Sequence, residues 1–177
     1  MIRGGDVLLT MAEIAIGLAG FSGVVAAFSQ TREFPAADRV RFLMLVGGTF
    51  FIILLAFVPF LLELGGMQEP ALWRWASGIW LLAFLIAGPL VLTGRRIIVR
   101  EGRAAPGWSV ALVLMVALAA CLAQLGNVMN WPYSAGPIPF LLALIAGLIG
   151  SGSIFVYLVL IRPDQENLTA NNLDRGS

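Results

Sequence analysis

The chain lacks histidine and lysine altogether, and it has a single cysteine among its 177 residues. Without histidine the chain has no imidazole general base and lacks the most common metal ligand. Without lysine it cannot form a Schiff base. Cys121 stands alone, which excludes an internal disulfide and a CxxC pair. The usual nucleophile–base sets cannot be assembled from what remains, so we expect neither an enzymatic activity nor a bound cofactor.

Charge is also scarce. Only 12% of the residues are charged and 59% are hydrophobic, with a mean hydropathy of +0.92. Soluble domains are about half apolar and about a quarter charged, so the composition indicates a protein that lives in the lipid bilayer. The net charge of +1 argues against a nucleic-acid partner, because that kind of binding needs a clustered basic excess.

Intervals without charged residues show where helices can cross the membrane. Residues 14–31, 42–62 and 75–94 each match the roughly 20 residues that span a bilayer. A fourth interval, from Ala104 to Ile161, has 58 residues and contains WPYSAGP, whose prolines and glycine interrupt a helix. It therefore predicts two helices, at about 107–130 and 138–161. The predicted fold is an all-α membrane protein with five transmembrane helices, a single domain over residues 1–162 and a polar, disordered cytoplasmic tail over 163–177.

The arginines predict the orientation. With five crossings, 2 arginines fall on the side of the N-terminus and 9 on the opposite side. Because basic loops remain in the cytoplasm, we expect the N-terminus outside and the C-terminus in the cytoplasm.

The first predicted helix combines a carboxylate with many small residues (AEIAIGLAGFSGVVAAF, residues 12–28). On a helical wheel one broad side carries Glu13 and small residues, while the opposite side is bulky and is predicted to face lipid. The bulky residues are Val7, Met11, Ile14, Leu18, Phe21 and Val25. Small residues let helices approach closely in lipid, so we interpret that side as a packing surface, with a backbone-lined pore as the alternative. The residues assigned to helix packing are Gly17, Gly20, Gly23, Ala19 and Ala27, together with Gly147 and Ser151 on the fifth helix.

Polar residues are concentrated in the predicted outer half of the helices. A charged side chain in hydrocarbon is unfavourable by at least a few kcal/mol and normally faces protein or water. Several carboxylates with amide oxygens nearby would suit hard cations or protons, whereas the alternative is a structural carboxylate that fixes helix register. The candidates for ion binding or for a pore are Glu13, Glu63, Asp6, Thr10, Gln124 and Asn127.

The phrase EIAIGLAGFSGVVAAF, followed by an arginine-containing loop and DRVRFLMLV, resembles a group of small multi-pass bacterial inner-membrane proteins with an AGFSG-type first helix. The resemblance covers the first two helices. It implies a bacterial inner-membrane protein and transfers neither an activity nor a functional residue.

Three functions are compatible with these patterns. The first is a self-associating membrane protein that binds or conducts a monovalent cation or protons through the outer carboxylates and amides. The alternative is a non-conducting assembly or partner-interaction subunit in which the carboxylates are structural. A transporter with alternating access ranks third, because the sequence shows no internal repeat.

Overall fold

The computed structural model describes residues 4–28, 36–100, 107–131 and 136–161. This part of the chain forms five α-helices: α1 (Gly5–Phe28), α2 (Ala36–Leu64), α3 (Ala71–Arg100), α4 (Gly107–Val128) and α5 (Pro137–Val156), which a π-helical turn continues from Tyr157 to Ile161. All five are long and apolar enough to cross a membrane. The prediction of an all-α fold with five helices that could cross a membrane is confirmed for the described residues. The predicted tail, residues 163–177, lies outside the described residues.

Three helices extend well beyond the charge-free intervals that predicted them. α1 begins at Gly5, ahead of the interval 14–31. α2 already includes Asp38 and Arg41 near its start, and α3 continues to Arg100. Arginine is a good helix former, so a helix that has left the hydrocarbon need not end at the first charge. Pro59 and Pro89 lie inside α2 and α3, and both helices continue past them.

The helices close a ring in which each one packs against its neighbours in sequence and α1 packs against α5. α2 also contacts α5 across the ring, which makes this pair the centre of the bundle. The core cluster lies mainly on α1, α2, α3 and α5. We call the end where α3 and α5 begin and α4 ends the amide end, after Gln124 and Asn127. The end where α2 begins and α3 ends is the arginine end.

Glycines bring α2 close to both α3 and α5. At Gly94 of α3, an added Cβ would overlap the Met44 side chain and would lie 2.9 Å from Cγ1 of Val40. On the other side of α2, a Cβ at Gly147 of α5 would lie 3.2 Å from Cγ1 of Ile52. Ser151 is buried one turn further along α5, and its Oγ would lie 3.0 Å from a Cβ at Gly48. Gly147 and the side chain of Ser151 therefore lie in the α2–α5 contact.

Candidate functional sites: the amide cluster and the outward face of α1

Asn127 ties three helices together at the amide end. Its Nδ2 donates to Ser77 Oγ of α3 at 2.8 Å and to the Gly136 carbonyl before α5 at 3.1 Å. The Trp73 carbonyl is a longer contact, at 3.4 Å. Its Oδ1 accepts the Gly136 N–H at 3.2 Å. The side chain is fully buried, so these bonds form where water does not compete.

The first turn of α5 explains why an asparagine is needed there. A helix leaves its first four N–H groups without intrahelical acceptors. Pro137 and Pro139 have no N–H, and Gly136 is the N-cap without a side-chain acceptor of its own. Asn127 Oδ1, from α4, accepts the N–H of Gly136 itself. The two prolines and one asparagine therefore satisfy most of the helix start without exposing polar groups to lipid.

Gln124 is one turn earlier on α4 and is less completely bonded. Its Nε2 donates to the Pro139 carbonyl at 3.0 Å. Its Oε1 is buried and has no hydrogen-bond donor among the described residues. Gln124 therefore contributes one bond between α4 and α5 and carries one unsatisfied acceptor, unlike Asn127.

The start of α3 reinforces the same end of the bundle. Trp73 is fully buried; its Nε1 donates to Glu69 Oε1 at 2.9 Å, and its ring lies 6.0 Å from the Phe140 ring. Arg74 Nε donates to the Val128 carbonyl at 3.1 Å, at the C-terminus of α4, where a cation is favourable. We call Gln124, Asn127 and their hydrogen-bond partners the amide cluster. Together with the contacts of Trp73 and Arg74, this cluster joins α3, α4 and α5.

The side of α1 that carries Glu13 points out of the bundle. Glu13 is exposed together with Gly17, Gly20 and Gly23, and a Cβ added at any of these three glycines would meet no atom within 4 Å. We call these four residues the outward face of α1. Glu13 lies about 12 Å along the helix from Gly5, which is well inside the candidate span Gly5–Val24.

The core side of α1 corrects the sequence interpretation. Met11 is buried and Leu18 is half-buried, so the prediction that the bulky side faces lipid is wrong at these two residues, whereas Val7, Ile14 and Phe21 are exposed as predicted. Leucine and methionine fill the space against α2 and α5 and gain dispersion contacts that glycine cannot supply. Small residues are also found on this side: Ala15 and Ser22 are buried and Ala19 is half-buried. The side chain of Ala27 lies outside the described set.

The remaining carboxylate and hydroxyl candidates are exposed. Asp6 and Thr10 lie on the Glu13 side of α1, and Thr10 Oγ1 donates to the Asp6 carbonyl of its own helix at 3.0 Å. Glu63 is exposed near the end of α2, one turn after the buried Pro59.

The structure separates the candidates that the sequence placed in one polar cluster. Gln124 and Asn127 are buried between α3, α4 and α5, whereas Asp6 and Glu13 are on the exterior of α1. α1 packs mainly on α2 and α5, and α4 on α3 and α5. Among the described residues no group of three or more Cys, Asp or Glu side chains is arranged to hold a metal ion. Among the described residues, the carboxylates Asp6 and Glu13 therefore do not share a site with the amides of Gln124 and Asn127. The helical wheel predicted the polar face of each helix but not the helix that this face contacts.

A buried ion pair at the arginine end was missed by the sequence interpretation. Arg41 Nη1 lies 2.9 Å from Asp38 Oδ1, and both side chains are buried. The Arg41 guanidinium also lies 4.1 Å from the centre of the Tyr157 ring, in the π-helical turn. The signal was the spacing in DRVR, which puts Asp38 and Arg41 on one helix face.

Comparison with protein-family models, with curated proteins and with solved structures gives no match. The functional argument therefore depends on the geometry of this chain.

Proposed function

We propose that this protein is a non-enzymatic assembly subunit of the bacterial inner membrane whose copies associate through the outward face of α1. One observation supports the proposal: Glu13 and three glycines share an exposed side of α1 at membrane depth, and no described atom lies within 4 Å of a Cβ added at any of these glycines. The residues on this side of α1 are mostly small, and other residues of α1 make its contacts with the core.

Lipid is a poor partner for that side. A carboxyl group facing hydrocarbon is unfavourable by at least a few kcal/mol, and glycines facing lipid leave backbone polar groups thinly covered. A second copy of the same helix would replace lipid by a closely approaching backbone, which is what small residues permit. Association of α1 with α1 would thus give Glu13 a protein environment that the described part of its own chain does not provide.

The amide cluster supports assembly over conduction through one chain. Asn127 uses its amide on Ser77 and Gly136, and Gln124 Nε2 is bonded to the Pro139 carbonyl. These groups hold helices together. They do not face Glu13, so the described part of a single chain presents no shared row of carboxylates and amides.

The test of association compares two outward glycines. Gly20→Leu fills the outward face of α1, whereas Gly47→Leu makes the same change on α2, where an added Cβ also meets nothing within 4 Å. We expect Gly20→Leu to shift the purified protein to monomers and Gly47→Leu to leave the oligomer intact, as measured by native mass spectrometry in detergent. Equal oligomer fractions in the two variants would contradict the proposal.

Cation or proton conduction is the second candidate, and the shared exposure of Asp6, Thr10 and Glu13 on one side of α1 favours it. Copies that meet through α1 would place these oxygens around a common axis, where they could attract cations. Purified protein in liposomes should then pass cations or protons, and Glu13→Gln should abolish the flux or change its selectivity. Oligomeric protein without any flux would leave assembly as the function and exclude conduction.

A further inference from the structure

α4 packs against the bundle over only part of its length. Toward the amide end, Gln124 and Asn127 are buried and are bonded to α5 and to α3. Nearer the arginine end, all six residues from 111 to 116 are exposed. Six successive residues point around the whole circumference of a helix, so none of the sides of α4 is covered there. This segment of α4 therefore stands apart from the bundle.

α3 changes its neighbour along the same stretch. Toward the amide end it packs on α4, where a Cβ added at Gly78 would lie 4.0 Å from Cγ2 of Val128. Toward the arginine end it packs on α2, where Gly94 faces Met44. Residues 89–93 lie between these two contacts and are exposed. Because α3 leaves α4 for α2, a space opens between α3, α4 and α5.

Hydrogen bonds at the amide end determine which sides of the three helices face this space. Ser77 bonds to Asn127 of α4, and Gln124 of α4 bonds to the carbonyl of Pro139 on α5. Residues 7 or 11 positions apart point to nearly the same side of a helix, because two or three turns contain about that number of residues. The residues at these distances from Ser77, Gln124 and Pro139 are Phe84, Val113 and Gly150.

Phe84, Val113 and Gly150 lie at one depth and are open. Each is about 20 Å along its helix from the amide end, which is past the middle of a hydrocarbon core of about 30 Å. Phe84 and Val113 are 37% and 58% exposed, although they continue the sides that are buried at the amide end. A Cβ added at Gly150 would meet no atom within 4 Å. We call the space between these three residues the α4 crevice.

The α4 crevice is apolar and opens to the membrane interior. α4 carries no charged residue between Gly107 and Val128. Water is unfavourable in an apolar space because it needs several polar partners there. An empty space is also unfavourable, because the residues that line it lose dispersion contacts. At this depth in a bilayer the material that can fill the space is hydrocarbon.

We propose that an acyl chain of a phospholipid from the arginine-end leaflet occupies the α4 crevice, between α4 and the facing sides of α3 and α5. The amide cluster closes the space toward the amide end, where the three helices are bonded to one another. The chain therefore enters from the arginine end, with its terminal methyl group directed toward the amide cluster. Since the lining is apolar, the site selects hydrocarbon and not a particular headgroup.

The experiment measures the lipid that stays with the full chain after purification. Wild type and variants are reconstituted into phosphatidylcholine vesicles, extracted in mild detergent and examined by native mass spectrometry. We expect wild type to retain one lipid per chain. Gly150→Leu places a side chain in the α4 crevice and should lower the retained lipid about fivefold, because the loss of about ten carbon–carbon contacts corresponds to that factor.

Gly152→Leu is the matched control. It makes the same change two residues further along α5, on the opposite side of the helix, where an added Cβ also meets nothing within 4 Å. This variant should retain lipid as wild type does, and circular dichroism checks that both variants are folded. No retained lipid in wild type, or equal retention in the two leucine variants, would overturn the proposal.

Two further measurements distinguish an acyl chain from other occupants. In vesicles of equimolar phosphatidylglycerol and phosphatidylcholine, the retained lipids should match the vesicle composition; a strong preference would indicate a headgroup site and overturn the proposal. In a Cys121→Ser background, Val113→Cys with Gly150→Cys should form no disulfide on oxidation, because the acyl chain separates the two helices. A disulfide within one chain would show that α4 closes on α5, and a disulfide between chains would show that a second copy fills the space. Either result would contradict the proposal.

Discussion

Glycines and polar residues occur both inside the bundle and on the outward face of α1, and they behave oppositely in the two places. Inside, Gly94 touches α2, Asn127 bonds to α3 and to the residue preceding α5, and Asp38 pairs with Arg41. On α1, the glycines beside Glu13 have open space where a Cβ would stand. Residue type alone therefore does not identify a packing surface in a membrane protein. Substitutions that make equal chemical changes in both places test this difference.

The largest effect is expected at Asp38. Asp38→Asn leaves the buried Arg41 guanidinium without its carboxylate, and breaking a buried ion pair on one side destabilises by about 3 to 5 kcal/mol. Unfolding of the purified protein by SDS, followed by circular dichroism, should give a correspondingly lower free energy of unfolding. Arg39→Gln removes an exposed charge one residue away and should change that free energy by less than about 0.5 kcal/mol. Similar losses in both variants would show that the pair is not a structural contact.

Gly94→Val should give the next largest effect. The new side chain would overlap Met44 and press on Val40, so α2 and α3 must separate or the side chains must leave their preferred rotamers. Overpacking of this kind destabilises by about 1 to 3 kcal/mol. Gly47→Val is the matched control, because its Cβ meets nothing within 4 Å and only the helix propensity changes. If Gly47→Val lowers the free energy of unfolding as much as Gly94→Val does, the result would contradict a close contact between α2 and α3 at Gly94.

The number of helices and their approximate positions were predictable, because they follow from hydrocarbon thickness and from the cost of burying charge, whereas the ends of α1, α2 and α3 were not. The neighbours of each helix were not. The wheel correctly placed Glu13 opposite Met11, but a wheel does not say which residues meet protein: Met11 is in the core, whereas Phe21 of the same bulky set is exposed. The Asn127 bonds join residues 9 and 50 positions away in sequence, and a single sequence without covariation contains no direct signal for them.

Asn127→Leu should have a moderate effect. It removes the bonds to Ser77 and Gly136 and leaves the Gly136 N–H without its acceptor. Hydrogen bonds between membrane helices contribute about 0.6 kcal/mol each on average, and an unsatisfied buried donor adds about 1 kcal/mol or more, so a loss of about 2 kcal/mol is expected. Gln124→Met is the comparison, because it removes one bond together with an acceptor that has no donor in the described residues. Its loss in SDS unfolding should be under about 1 kcal/mol, and a larger loss than in Asn127→Leu would contradict the bonding pattern.

Glu13→Gln should have the smallest effect on folding and is the matched opposite of Asp38→Asn. Both variants turn a carboxylate into an amide, but Glu13 is exposed, so the folding free energy of the monomer should change by less than about 0.5 kcal/mol. Unfolding is measured in dilute detergent, where each micelle holds one chain, and repeated at high protein concentration. If copies associate through the outward face of α1, the variant differs from wild type only at high concentration, because association stabilises the folded state by mass action. A loss already present in the isolated monomer would place Glu13 in a contact within its own chain and remove the difference between the two surfaces.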